Sequence, residues 1–185
     1  LRNGLSNGVD RLMKMGEDVD LITKLESGVM ELRTVEMGLG VALKEGIESL
    51  AMHARQKGMS LRNAVPAGTM VRADRNRIAQ VFMNLLNNAI NYGRPGGSVV
   101  VRAFTVEGGQ VLVEVSDNGI GIAPEHLPRR FERFYRGGES RARNEGGSGL
   151  GLAIVKHIID AHGQSITVRS TEGEGTVFAF TLKRA

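Results

Sequence analysis

Four short runs of amide, carboxylate and glycine residues follow one another in a fixed order. They are Asn84-Leu85-Leu86-Asn87-Asn88-Ala89, Asp117-Asn118-Gly119-Ile120-Gly121, Gly147-Ser148-Gly149-Leu150-Gly151 and Gly173-Glu174-Gly175-Thr176. Asn84 and Asn88 stand four positions apart, so on a helix their side chains share a face. Neutral amide oxygens converging there suit Mg²⁺, a hard cation that keeps several waters beside substrate phosphates. Buried amides that merely tie down a loop are the plainer alternative. Asp117 closes the apolar run Val111–Val115, at a strand end. An ionised carboxylate only accepts hydrogen bonds, so it can take one from an exocyclic amino group such as that of adenine. Guanine offers a carbonyl at that place, and a polar site of this kind discriminates by about 10⁴ or more. Asp-Asn-Gly is equally a common turn signature.

Gly146–Leu152 leads into a helical pattern, and backbone N–H groups at such a start form an anion site. No Gly-Lys-Ser/Thr follows, so it is not a Walker loop, and an arginine-rich stretch rather than a strand precedes it, against a dinucleotide fingerprint. Before it stands Phe131-Glu132-Arg133-Phe134-Tyr135-Arg136-Gly137-Gly138. Its aromatics would anchor a mobile segment and its glycines let it move, which describes a lid. Arg129, Arg130, Arg133, Arg136, Arg141 and Arg143 concentrate positive charge here. With aromatic residues at only 4% and a net charge of +4, a local anion such as a phosphate chain fits better than nucleic acid.

These motifs need a scaffold. Leu5, Val9, Leu12, Met15, Val19, Ile22 and Leu25 recur at helical steps, and a helix of that length, about 35 Å, cannot bury the stripe against itself. It is either an amphipathic helix packed on its own domain or half of a helical hairpin whose partner lies upstream. Strand-like character follows at 29–35, then a helix over about 38–56 and short strands at 59–65 and 69–71. Asp74 is a fitting N-cap for a helix reaching Tyr92. Its core face is Ile78, Val81, Phe82, Leu85, Leu86, Ala89 and Ile90, while Gln80, Asn84, Asn87, Asn88 and Asn91 occupy the opposite face. Asparagine is a poor helix-interior residue, so a plain solvated face would more naturally use Lys and Glu. Strands at 99–106 and 111–116 flank Glu107-Gly108-Gly109, a hairpin signal. A helix at 150–162 and strands at 165–170 and 177–182 complete a two-layer α/β sandwich, a mixed sheet on three helices. The chain has no cysteine, which fits a reducing compartment, and no apolar run long enough to span a bilayer. It begins at Leu1 in mid-pattern and reads as a piece of something longer.

In this order the motifs resemble the asparagine, glycine and phenylalanine boxes of the catalytic ATP-binding domain of sensor histidine kinases. That domain belongs to the superfamily shared with gyrase, mismatch-repair and heat-shock chaperone ATPases. The resemblance covers about residues 30–185 and implies a Bergerat-type ATP-binding fold. Residues 1–29 are similar to the second helix of the dimerisation and phosphotransfer hairpin, with Lys24-Leu25-Glu26-Ser27-Gly28 as its exit. The resemblance implies Asn84 as Mg²⁺ ligand, Asn88 as a phosphate or metal-water contact, and Tyr92 beside the adenine. It implies Asp117 on the adenine amino group, with Gly119 and Gly121 lining the site. Gly147, Ser148, Gly149, Leu150 and Gly151 border the phosphates, Arg136 approaches the γ-phosphate as the lid closes, and Thr176 stands beside the adenine pocket.

Within that superfamily the water-activating ATPases carry a glutamate where this chain has Asn84, and an amide cannot take a proton from water. The resemblance therefore implies a kinase passing the γ-phosphoryl group to a histidine, for relay to a response-regulator aspartate. The alternatives are an ATP-hydrolysing clamp and a binding module with weakened catalysis. It further implies a homodimer in the full protein and a cytoplasmic place in a membrane-anchored sensor, with no nucleic acid or membrane contact from these residues. Two positions depart from the pattern: Asn91 replaces the usual Lys or Arg, and Gln164 replaces a common glycine. None of His53, His126, His157 and His162 sits in the expected His-Glu-Leu-Arg-Thr-Pro setting. Glu31-Leu32-Arg33-Thr34 echoes it by coincidence, since position 30 is methionine. The acceptor is expected upstream of Leu1, and His157 and His162 are expected to be structural.

Overall fold

The computed structural model describes residues 2–27, 31–132 and 150–185. Helix α1 spans Arg2–Ser27, strand β1 Thr34–Gly38, α2 Leu39–Gln56, β2 Ser60–Ala64, β3 Met70–Asp74 and α3 Arg75–Asn91. Strands β4 (Ser98–Val106) and β5 (Gln110–Asp117) follow, then α4 (Gly151–Ala161), β6 (Ile166–Thr171) and β7 (Gly175–Arg184). The strands form one open mixed sheet in the order β1-β3-β7-β5-β4-β2, with β6 also paired to β7. Among the described residues, only the β2–β4 pair is parallel.

All seven apolar residues expected on the core face of α3 are buried. They share one hydrophobic core with Val101, Val113 and Phe180 of the sheet, and Phe82 lies 6.1 Å ring to ring from Phe180. Helices α2 and α4 flank α3 on the same side of the sheet, giving the expected two-layer α/β sandwich. One face of α3 is thereby committed to the core, and its asparagines are left half-buried along the rim.

The start of α3 is fixed as the N-cap pattern predicts. Asp74 Oδ1 accepts from the Arg77 N–H at 3.1 Å, satisfying one of the free donors of the first turn. Its other oxygen accepts from the Arg33 N–H at 2.9 Å. Of the strand expected at 29–35, residues 29 and 30 lie outside the described residues, and 31–33 are not strand: the Arg33 N–H is taken by a side chain, and ladder pairing is seen from Thr34 opposite Asp74.

Helix α1 answers the two alternatives at different points along its length. Asp18, Leu21 and Ile22 are buried and α1 packs on α4, so its later turns join the domain. Earlier, Leu12 is 71% and Met13 61% exposed. Of the stripe residues whose burial is described, Val9, Leu12, Val19 and Ile22, only Ile22 lies on the buried face, because packing on α4 selects positions 18, 21 and 22, which neighbour one another on a helix.

Candidate functional site

The last turns of α3, the β5 end and the β6–β7 turn meet at one rim of the sandwich. The carbonyl of Tyr92, the C-cap of α3, accepts from the Ile120 N–H at 3.2 Å, and the Ile120 carbonyl accepts from the Gly173 N–H at 2.7 Å. The Arg94 guanidinium also donates to the Gly173 carbonyl at 3.0 Å. Residues 117–121 are thus clamped between helix and turn. Gly119 is buried, and a Cβ there would press on the Tyr92 carbonyl and on Asp117 Oδ1. Gly121 has φ +74° with the Thr171 carbonyl close behind, so both conformation and space require glycine.

Asp117 ends β5, paired with Thr176 of β7. Burial pushes its pKa up from 3.8, opposed by hydrogen bonds from the Gly119 and Thr176 N–H groups and by the charge of Arg130. The Gly119 bond is 2.9 Å. Desolvation outweighs these favourable contacts, so the carboxylate is a strong acceptor held in a place where its charge is costly. Thr176 is buried, its hydroxyl 2.8 Å from that of Ser170. Ser170 in turn accepts from the Ile122 N–H at 2.7 Å, a support for the loop that its sequence position did not disclose. An open cleft of about 290 Å³ reaches Asp117 and Thr176 from the β6–β7 side but touches none of the α3 amides.

On α3, Asn84 and Asn88 share a face yet hold different neighbours. Asn84 Nδ2 donates to the Gly151 carbonyl at 3.3 Å, tying α3 to the start of α4 and leaving Oδ1 as an acceptor. Asn88 Oδ1 accepts from Arg130 Nη2 at 3.2 Å. The Arg130 guanidinium also lies 4.7 Å above the Tyr92 ring, so one arginine spans the amide stripe, the aromatic and the carboxylate. The sequence placed Arg130 only within a basic cluster. Asn91, by contrast, turns toward α2, where its Oδ1 is 3.1 Å from His53 Nε2. Leu150 is buried and precedes α4, whose first turn carries Gly151. Arg136, Gly147, Ser148 and Gly149 lie outside the described residues, as do the Phe134 and Tyr135 rings. Phe131, the first aromatic of that knot, packs edge-on against Phe178 at 6.0 Å.

Gln164 accepts from the Thr181 hydroxyl at 2.8 Å, a turn contact remote from Asp117. His162 is structural: its Nε2 accepts from the Asp74 N–H at 3.0 Å while Nδ1 faces the Ile158 carbonyl at 2.8 Å. His157 Nε2 lies 3.4 Å from Glu26 Oε1 of α1. Among the described residues no group of three His, Cys, Asp or Glu side chains could hold a metal, so a cation here would depend on amide oxygens and on ligand phosphates. No helix among them is long and apolar enough to cross a membrane.

Residues 73–185 match the family described as histidine kinase-, DNA gyrase B-, and HSP90-like ATPase. The chain is 35% identical over 173 residues to the sensor-like histidine kinase SenX3 of Mycobacterium tuberculosis, covering 94% of this chain and 42% of that protein. It is 33% identical to the sensor histidine kinase WalK of Bacillus subtilis, covering 95% of this chain and 29% of WalK. The chain therefore spans less than half the length of these relatives. Among solved structures, full-length ShkA in complex with AMPPNP superposes with a TM-score of 0.86 at 29% identity, over 99% of this chain and 38% of ShkA.

Proposed function

Because this chain belongs to the histidine kinase-, DNA gyrase B- and HSP90-like ATPase family, we propose that residues 30–185 are the ATP- and Mg²⁺-binding catalytic domain of a sensor histidine kinase. Residues 1–29 are then the second helix of its dimerisation and phosphotransfer hairpin. Asp117 accepts the adenine amino group, and its burial beside Tyr92 supports that role. Asn84 Oδ1, oriented by the bond from Nδ2 to Gly151, is the amide oxygen for the cation, and Asn88 faces the phosphates. Gly119 and Gly121 shape the floor, Thr176 backs the carboxylate, and Leu150 and Gly151 open the helix that continues the phosphate loop. Mg²⁺, when bound, neutralises phosphate oxygens; the protein contributes position and charge, with Arg136 of the lid approaching the γ-phosphate.

The observation that carries a kinase over a clamp ATPase is Asn84. It bonds Gly151 through an amide that cannot deprotonate water, so the γ-phosphoryl group is kept for a protein nucleophile. The acceptor nitrogen belongs to a histidine outside residues 1–185: it gains the phosphoryl group, ADP leaves, and a response-regulator aspartate receives the group next. Four exposed apolar residues of α1, Val9, Leu12, Met13 and Val19, support a helical partner and a homodimer in the full protein. On this reading the domain belongs to the cytoplasmic portion of a membrane-anchored sensor.

Labelled ATP supplies the test. Incubated with γ-labelled ATP, Mg²⁺ and a separately supplied hairpin bearing the acceptor, the chain is expected to put acid-labile phosphate on the hairpin. Steady phosphate release without transfer would favour the clamp. ATP binding with neither transfer nor release would favour a weakened binding module.

A further inference from the structure

We propose that Arg130 is a phosphate-binding residue of this nucleotide site, supplying the positive charge that position 91 lacks. The inference rests on the ATP reading above.

Three observations converge on it. Arg130 is 4% exposed, and its Nε is buried with no hydrogen-bond partner. A guanidinium carries five donors in a fixed fork, and leaving one unpaired away from water is costly. The group is nevertheless held in place, with Nη2 donating to Asn88 Oδ1 at 3.2 Å and the guanidinium carbon 4.7 Å from the Tyr92 ring centroid. Its contacts therefore run from the aromatic at the base end to the amide at the phosphate end. The missing partner is an acceptor, and an anionic oxygen would also suit the guanidinium charge.

The third observation concerns Asn91. Its oxygen is 3.1 Å from His53 of α2, so this position is spent on joining two helices. Replacing an ammonium with an amide there removes a cation from the end of α3 but adds a tie between α3 and α2. Arg130 places a guanidinium against the next residue, Tyr92. Asp117 feels that charge as well, as the smallest of the effects that lower its pKa. With nucleotide present, its orphan donor and its fork turn to the phosphate chain.

The test compares adenosine, ADP and Mg²⁺–ATP on the same chain by calorimetry. Arg130→Met keeps a long apolar stem over Tyr92 and removes the fork; Arg130→Lys keeps the charge. The Met variant is expected to bind ATP and ADP about tenfold or more weakly, the size of one charge-assisted hydrogen bond. Adenosine should bind it nearly as it binds the wild type, and the Lys variant should retain most of the ATP affinity. The ATP-to-adenosine ratio is internal to each variant, so partial unfolding, which weakens both ligands alike, cannot mimic the result. Three outcomes would overturn the assignment: unchanged ATP affinity in the Met variant, equal loss of ATP and adenosine, or tighter binding of both. Equal loss would make Arg130 a packing residue for Tyr92, and tighter binding would make it an occupant of the place of the base. A wild-type chain that bound none of the three ligands would instead refute the ATP reading itself.

Discussion

The backbone carbonyl of Tyr92 accepts the Ile120 N–H at 3.2 Å, and this bond ties the end of α3 to the loop after Asp117. The approach is close enough that Gly119, one residue earlier, has no room for a Cβ. Gly119→Ala must therefore push the loop off the helix or rotate Asp117 away from the Gly119 N–H. Overpacking of this kind costs about 1–3 kcal/mol. We expect a lower melting temperature and at least a tenfold loss of ATP affinity, measured by thermal denaturation and calorimetry. Gly108→Ala in the β4–β5 turn, where a Cβ meets nothing but φ is +79°, should lose stability without losing affinity.

Asp117 sets stability against its proposed base-reading role. Its folded pKa is raised above 3.8, so between 3.8 and the folded value the native state holds the proton more tightly than the unfolded chain. Stability then falls as pH rises through that window, and the penalty is fully present above it. Asp117→Asn keeps an oxygen acceptor and removes the charge. In the empty domain at neutral pH it is expected to raise the melting temperature, with the advantage fading as pH falls toward 3.8. Nucleotide binding should show the opposite trend, since only the ionised carboxylate accepts in both lone-pair directions. For adenosine, which has no phosphate to titrate, affinity for the wild type should drop as pH falls through the Asp117 pKa. Equal affinity for ATP and GTP in the wild type would refute the base-reading role.

The α3 core was legible because seven apolar residues at helical steps leave one solution for burial, and Asp74 marked its start through a side chain that could cap. The register of β1 was not, since it depends on an oxygen of that same Asp74 reaching the Arg33 N–H, forty-one positions away in sequence. Asn84 with Gly151 and Asp117 with Thr176 were legible as candidate neighbours from their order, and the fold brings each pair together. Arg130 and Asn91 could not be separated in this way: both are ordinary polar residues locally. Their roles emerge only when Tyr92 and His53 are brought against them by tertiary packing.

The bond between Asn91 and His53 predicts a variant that tests stability alone. Asn91→Ala removes a part-buried contact joining α3 to α2 and should cost about 1 kcal/mol. His53→Ala should cost a similar amount, and the double variant little more than either, because the two share one interaction. The ratio of ATP to adenosine affinity should stay at the wild-type value in all three, as read by chemical denaturation alongside calorimetry.

His162, the C-cap of α4, joins that helix end to the start of α3. A backbone N–H can only donate and a carbonyl can only accept, so the 3.0 Å contact to the Asp74 N–H and the 2.8 Å contact to the Ile158 carbonyl fix a neutral imidazole with its proton on Nδ1. His162→Phe loses both bonds and leaves the Asp74 N–H at the start of α3 without its acceptor. A cost of about 2 kcal/mol is expected, with hydrogen exchange accelerated at Asp74 and nucleotide affinity unchanged.

Asn84 gives the sharpest separation between metal binding and scaffolding. Its Nδ2 holds the Gly151 carbonyl while its Oδ1 is the proposed cation ligand, so one truncation removes both. Asn84→Ala should therefore bind ATP with the same affinity in Mg²⁺ as in chelator, whereas the wild type should bind more tightly in Mg²⁺. The start of α4 provides the control. Lost tethering at Gly151 alone would weaken ATP equally in both conditions and leave the ratio at its wild-type value. A ratio that collapses to one places the oxygen of Asn84 on the metal, and an unchanged ratio restricts Asn84 to joining α3 and α4.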